Sequence, residues 1–159
     1  MIKLLRVDHR LLHGQVAFSW TQYLGADCIL IANDSVVNDE LRKTTIKLAR
    51  PPEIKLVIKN ITDSVEALKS GVTDKYKLFI VVESVTDAYR LSKDIPDINH
   101  INLGGTKPKD NTQNISKTIN ITDEEVQYLK ELHQMGKEIE IRIVPNDRKQ
   151  LISDCINIQ

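Results

Sequence analysis

The chain has little of what marks several large functional classes. Only 4% of its 159 residues are aromatic, too few for the stacking platforms that hold single-stranded nucleic acid. Lys and Arg number 22 against 22 Asp and Glu, so the formal net charge is zero. Neither a strongly basic nucleic-acid binder nor a polybasic membrane anchor is expected from that balance. No apolar run approaches the roughly 20 residues that a membrane-spanning helix needs. The two cysteines, Cys28 and Cys155, sit in apolar stretches and form no CxxC pair. Free, buried thiols in a reducing compartment are the expectation. The chain opens at once on an apolar run with no charged-then-apolar leader, which makes the cytoplasm the expected location. The GxxxxGK[ST] and GxGxxG signatures and an HRD-type triad are also missing, so direct use of ATP is unsupported.

What is present is an ordinary globular composition, 41% hydrophobic and 28% charged. Its length suits one domain with one core, over residues 1–159. Ile- and Val-rich runs alternate with helical patterns from end to end. Expected strands cover 2–7, 28–32, 55–58, 76–82, 100–103, 117–121 and 138–144. Several lack strict alternation, as strands buried on both faces of a parallel sheet do. Expected helices cover 14–23, a long segment from 34 or 35 to 48 that stops before Pro51-Pro52, a segment from 62 to 68 closed by Gly71, and 86–91. In the third of these, Asp63 with Glu66 has capping-box spacing. A last long helix starts at the capping box Thr122-Asp123-Glu124-Glu125 and ends at Gly136. One more short helix is expected after Pro145. Residues 107–114 read as an exposed polar loop. The alternation predicts an α/β fold: an open, mostly parallel, doubly wound sheet of about seven strands with helices on both faces. Ligands of such sheets bind at the carboxyl ends of the strands.

The residues that follow the first strand stand out for that reason. Arg6-Val7-Asp8-His9-Arg10-Leu11-Leu12-His13-Gly14-Gln15-Val16 packs two arginines, an aspartate, two histidines and a glycine between a strand and a helix start. Helix N-termini offer unpaired N–H groups and partial positive charge, a natural anion site. His13 immediately precedes Gly14, where the absent Cβ permits close backbone approach. A neutral imidazole has a free lone pair and can attack phosphorus. Arg10, three residues earlier, suits phosphate oxygens, and Arg6 can do the same unless its strand phase turns it elsewhere. Asp8 either fixes the His13 tautomer or pairs with Arg10. Gln15 either donates to phosphate or faces solvent. His9 and His13 have the spacing of a metal pair, but no third ligand accompanies them, and His9 is assigned to the rim. Gly104-Gly105 fits a pocket wall, while Lys107 and Lys109 fit either an acidic partner or plain solvation. His100 and His133 have no chemical company in the sequence and read as structural or surface residues.

The run also carries a family resemblance. Arg-Val-Asp-x-Arg-Leu-Leu-His-Gly-Gln-Val resembles the active-site segment of IIB subunits of the bacterial phosphotransferase system, mannose/fructose/sorbose family. Ile101-Asn102-Leu103-Gly104-Gly105 is similar to that family's Asn-Val-Gly-Gly loop. The stretch 119–145, with Thr122-Asp123-Glu124-Glu125, Leu132-His133, Gly136 and Glu140-Ile141-Arg142-Ile143-Val144-Pro145, resembles its C-terminal third. The family often has Asp-Asp-Arg where this chain has Asp8-His9-Arg10. The resemblance implies a phosphohistidine–sugar phosphotransferase component with neither cofactor nor metal. His13 would take phosphate from a phosphorylated IIA domain and pass it to a sugar held by the membrane subunits IIC and IID, with the chain peripheral to them. Asp8, Arg10 and His13 would be catalytic, and Arg6, Gly14 and Gln15 would bind phosphate. A homodimer is left open. Two other readings are a non-catalytic anion or nucleotide sensor and a regulatory adaptor on the same fold.

Overall fold

Seven strands join in one sheet in the computed structural model, which describes residues 1–158. The chain order is β1 (Ile2–Asp8), α1 (Gly14–Leu24), β2 (Cys28–Ala32), α2 (Glu40–Leu48), β3 (Lys55–Lys59), α3 (Ile61–Ser70), β4 (Leu78–Val82) and α4 (Val85–Ser92). It continues with β5 (His100–Gly105), β6 (Gln113–Ser116), β7 (Ile119–Ile121), α5 (Asp123–Gln134), β8 (Glu138–Ile141) and β9 (Gln150–Leu151). The strand order is β3-β2-β4-β1-β5-β8-β9, and every pairing is parallel except β8 with β9. The mostly parallel α/β sheet expected from the alternation is what forms.

Strand alternation builds two cores. Leu5, Val7, Leu30, Ile80 and Leu103 point to one face, where Leu68 of α3, Leu91 of α4 and Leu129 of α5 cover them. Leu4, Ile29, Ile31, Phe79 and Val81 point to the other, under Ala17 and Trp20 of α1 and Ile46 of α2. Burial of these side chains, each contributing ~1.5–3 kcal/mol, fixes the register of the central strands.

Four sequence expectations need correction. The expected strand over 117–121 is outside the main sheet. Its ordered part, β7, pairs antiparallel with β6 in a separate ribbon. Hydrogen bonds from Thr106 N–H to Thr118 O (3.0 Å) and from Thr106 Oγ1 to Asn120 O (2.7 Å) tether that ribbon to the end of β5. The ribbon starts within residues 107–114, so that segment is not all loop. The seventh strand comes instead from β9, and the short helix expected after Pro145 follows it as a 3-10 segment, Ile152–Asp154.

The expected helix from 34 or 35 to 48 is interrupted. Asn33 Oδ1 accepts the N–H groups of Ser35 (3.0 Å) and Val36 (2.9 Å), which turns the chain into a 3-10 segment, Val36–Asn38. Asp39, in extended conformation, then caps α2 by accepting from Arg42 N–H. Asn and Asp compete for local backbone groups in this way, and so restart helices. Helix α3 is capped by Asn60, which accepts from Asp63 N–H, rather than by the Asp63/Glu66 pair. The capping box at Thr122 forms as expected. No helix among the described residues is long and apolar enough to cross a membrane.

Candidate active site

Strand phase places the first site residues. Leu5 and Val7 enter one core, so Arg6 and Asp8 turn to the α1 face. Beyond Asp8 the chain makes a tight turn, with Leu11 N–H donating to Asp8 O at 2.8 Å. Leu11 adopts φ 59°, a left-handed conformation that a branched side chain resists. Burial of Leu11 and Leu12 beneath α1, at 2% and 3% exposure, offsets that strain. His13 is extended, and Gly14 follows with φ 41°, where glycine is the natural residue. The first intrahelical bond of α1 runs from Ala17 N–H to His13 O (3.1 Å), and no side chain caps the helix. The N–H groups of Gly14, Gln15 and Val16 are therefore left over at its start. The first turn carries no acidic residue that would neutralise the helix dipole.

Asp8 is the hub. Its Oδ2 lies 2.8 Å from Nε2 of His13 and accepts from the Arg6 guanidinium at 3.1 Å. Its Oδ1 accepts from Arg10 N–H at 2.9 Å. Burial raises the carboxyl's pKa, but the bond to His13, the Arg6 charge and the Arg10 N–H outweigh it and hold Asp8 below the usual carboxylate range. An ionised Asp8 can only accept, so the proton of a neutral His13 ring sits on Nε2. The lone pair is then on Nδ1. Of the two roles open for Asp8 in the sequence, the contact to His13 is present. Its contact with Arg10 is to backbone, not to the guanidinium.

Arg6 lies beneath this carboxylate at 2% exposure. Besides Asp8 it donates to Asn102 Oδ1 (2.7 Å) and to Arg142 O (3.2 Å). Asn102 Nδ2 donates to the same Arg142 carbonyl at 3.0 Å. The indole of Trp20 stands near both guanidinium groups, 5.4 Å from that of Arg6 and 5.0 Å from that of Arg142. Its N–H donates to Ile143 O at 3.0 Å. Arg142 pairs with the fully buried Glu140, which also meets His100 at 2.6 Å. His100 thus has charged company after all: Glu140, and Glu138 at 3.3 Å. The reason is cross-strand register, since His100 sits opposite Glu138 and Asn102 opposite Glu140 on β5 and β8. Gly104 completes the packing. A Cβ there would lie 2.2 Å from the Arg6 guanidinium carbon.

The remaining expected residues lie at the surface of the loop. Arg10 is exposed, and its side chain has no partner among the described residues. Gln15 is exposed in the first turn of α1. His9 donates its N–H to Gly105 O at 3.0 Å, and its ring lies 3.6 Å from the Cβ position of Gly105. His9, Lys107 and Lys109 together line a polar cleft of about 890 Å3 beside the loop. His133 is exposed at the end of α5. Cys28 is buried and Cys155 half-buried, both as free thiols. Sequence reasoning missed Trp20, Asn102, Glu140 and Arg142 as parts of this network. The available signal was a polar residue in the middle of an apolar strand, at 102, 140 and 142. A parallel sheet covered on both faces must give such a residue a partner.

Comparison with known proteins is consistent along the whole chain. The family model described as the sorbose subfamily IIB component of the phosphotransferase system matches residues 2–159. A probable phosphotransferase enzyme IIB component of Streptococcus pyogenes is 32% identical over 99% of this chain and 100% of its own. The mannose-specific EIIAB component of Escherichia coli is 26% identical over 99% of this chain and 49% of its own. The crystal structure of the IIBSor domain of the sorbose permease from Klebsiella pneumoniae superposes with a TM-score of 0.92. It covers 99% of this chain and 96% of that one at 29% identity. On the family match and these relatives, the chain belongs to the sorbose subfamily of IIB components of the sugar phosphotransferase system.

Proposed function

We propose that the chain, acting as a single domain over residues 1–159, carries a phosphoryl group on Nδ1 of His13. The observation that carries this reading is the 2.8 Å contact of Asp8 with His13 Nε2 at an uncapped helix start. It leaves Nδ1 as the nucleophilic atom, next to the unpaired N–H groups that begin α1. The donor is the phosphohistidine of a IIA domain. The lone pair of Nδ1 attacks phosphorus in line, the donor's P–N bond breaks, and its electron pair returns to the donor ring. The His13 ring, still protonated on Nε2, then bears positive charge that Asp8 offsets. Arg10 and the N–H groups of Gly14 and Gln15 hold the phosphoryl oxygens, while Arg6 acts through Asp8. In the second step a sugar hydroxyl presented by the IIC and IID subunits attacks phosphorus, the Nδ1–P bond breaks, and the hydroxyl proton passes to a base outside this chain. The half-length match to an EIIAB component supports a IIA partner. The chain then works at the cytoplasmic side of the membrane subunits.

Incubation with a phosphorylated IIA domain tests this. Acid-labile, base-stable phosphate is expected on the wild type and none on His13→Ala. Label retained by His13→Ala overturns the site. 31P NMR showing phosphate on Nε2 overturns the role given to Asp8.

A further inference from the structure

Phosphoryl transfer makes no use of the opposite margin of the sheet. Strand β3 forms that margin, and among the described residues no strand pairs with its outer side. Lys55 N–H donates to Asp27 O at 3.0 Å, and Asn33 N–H to Lys59 O at 2.9 Å. In a parallel ladder this turns the backbone groups of residues 55, 57 and 59 towards β2. Leu56 and Ile58 therefore aim N–H and C=O outwards.

A groove runs along each face of this edge. One, of about 650 Å3 between α2 and β3, is floored by Ile54, Leu56 and Ile58. The other, of about 310 Å3, is floored by Leu30, Val57 and Leu78. Lys43, Lys47, Arg50 and Lys55 rim the first, and Lys55, Lys59 and Lys75 the second. No carboxylate lines either groove, although the chain as a whole is neutral. Lys43 meets Glu40 at 3.4 Å, while the other five cations pair with no carboxylate among the described residues.

Lysines on an edge strand ordinarily keep other strands away. That accounts for Lys55 and Lys59, but not for the three cations that α2 and the turn after it add, nor for an apolar floor on each side. A cationic edge repels a second copy of itself and admits a strand of opposite charge. A flat bilayer would meet the cations without reaching the open backbone groups or both floors. We propose that the β3 edge docks an extended acidic segment of a partner protein as an added strand. Its alternate side chains enter the two grooves, and its carboxylates meet the rim cations.

The test uses a synthetic peptide of roughly eight alternating Glu and Val residues, the span of a strand. Two companions serve as controls: the same peptide N-methylated at alternate residues, and a Lys/Val peptide. Binding is followed by titration calorimetry and amide NMR of the full chain. The Glu/Val peptide should bind saturably and shift the Leu56 and Ile58 amides. N-methylation, which blocks the ladder and keeps the charge, should weaken binding at least about tenfold, and the Lys/Val peptide should not bind. Lys55→Glu/Lys59→Glu and, independently, Lys47→Glu/Arg50→Glu should each weaken it about tenfold or more, with the remaining amide spectrum unchanged. Equal binding of the N-methylated peptide overturns strand addition. So does undiminished binding by both double variants, or sedimentation with phosphatidylglycerol vesicles without any saturable peptide binding.

Discussion

Oδ2 of Asp8 lies 2.8 Å from Nε2 of His13. The carboxyl is held below its usual range, so at neutral pH it is a pure acceptor and assigns the ring proton to Nε2. Replacement by asparagine offers the ring a donor as well as an acceptor and so releases that assignment. Asp8→Asn should take up phosphate from the IIA donor about 10²-fold or more slowly, the scale on which positioned acid–base partners act. 15N NMR should show the ring moving from the Nε2–H form to a mixture. A rate within twofold of wild type would remove Asp8 from the mechanism.

The two arginines of the loop separate cleanly. Arg10 is exposed and its side chain has no partner among the described residues, so Arg10→Ala should slow transfer and leave the unfolding free energy within about 0.5 kcal/mol of wild type. Arg6 is buried against Asp8, Asn102 and the Arg142 carbonyl. Arg6→Ala takes the arginine counter-charge from the buried Asp8 carboxylate and should cost about 3–5 kcal/mol. Arg6→Lys should recover part of that loss but not the forked contacts. Chemical denaturation of the three variants beside their transfer rates decides it. Stability losses of the same size for Arg6→Ala and Arg10→Ala would contradict the assignment.

Much of this was legible in the sequence, for physical reasons. Ile/Val runs buried on both sides of a parallel sheet have few other places to go, and β1, β2, β3 and β5 lie where their patterns predicted, while β8 ends at Ile141, short of the expected 144. The motif from Asp8 to Gly14 is contiguous, so its residues had to be neighbours. What escaped was non-local. Arg142 meets Arg6 of β1, and Glu140 meets His100 of β5, only because β5 pairs with both β1 and β8 in that register. Ile119 and Ile121 read as a core strand because they are apolar, yet a tight antiparallel ribbon buries them equally well. The orientation of Arg6 turned on strand phase, and its neighbours Leu5 and Val7 carry that information through their burial in the opposite core.

Gly104 supplies a third test, because its missing Cβ is what makes room for Arg6. A methyl group there would fall 2.2 Å from the guanidinium carbon and 2.5 Å or less from both terminal nitrogens. The arginine is fixed by three partners and cannot swing aside without abandoning one of them. Gly104→Ala should therefore destabilise the fold by ~1–3 kcal/mol, the usual range for overpacking. It should also slow phosphate uptake at His13, although residue 104 makes no contact with the ring. Unchanged stability and rate would mean that Arg6 has more freedom than its hydrogen bonds imply.

Acid sensitivity follows from the same buried carboxylates. Asp8 and Glu140 have side chains 5% and 0% exposed. For each, burial raises the pKa, but hydrogen bonds and neighbouring charge bring it below the ordinary value: His13 and Arg6 for Asp8, His100 and Arg142 for Glu140. A folded carboxyl of lowered pKa binds fewer protons than its unfolded counterpart, so stability rises with pH across that interval. The contribution is complete above the unfolded values of about 3.9 for Asp and 4.3 for Glu, and disappears as pH falls through the lower folded ones. The urea midpoint of the wild type should accordingly drop on going from about pH 5 to about pH 3. Asp8→Asn/Glu140→Gln should start from a lower midpoint at neutral pH, because both arginines lose their counter-charges, yet change less over the acid interval. Parallel acid profiles for the two proteins would show that other groups govern the loss.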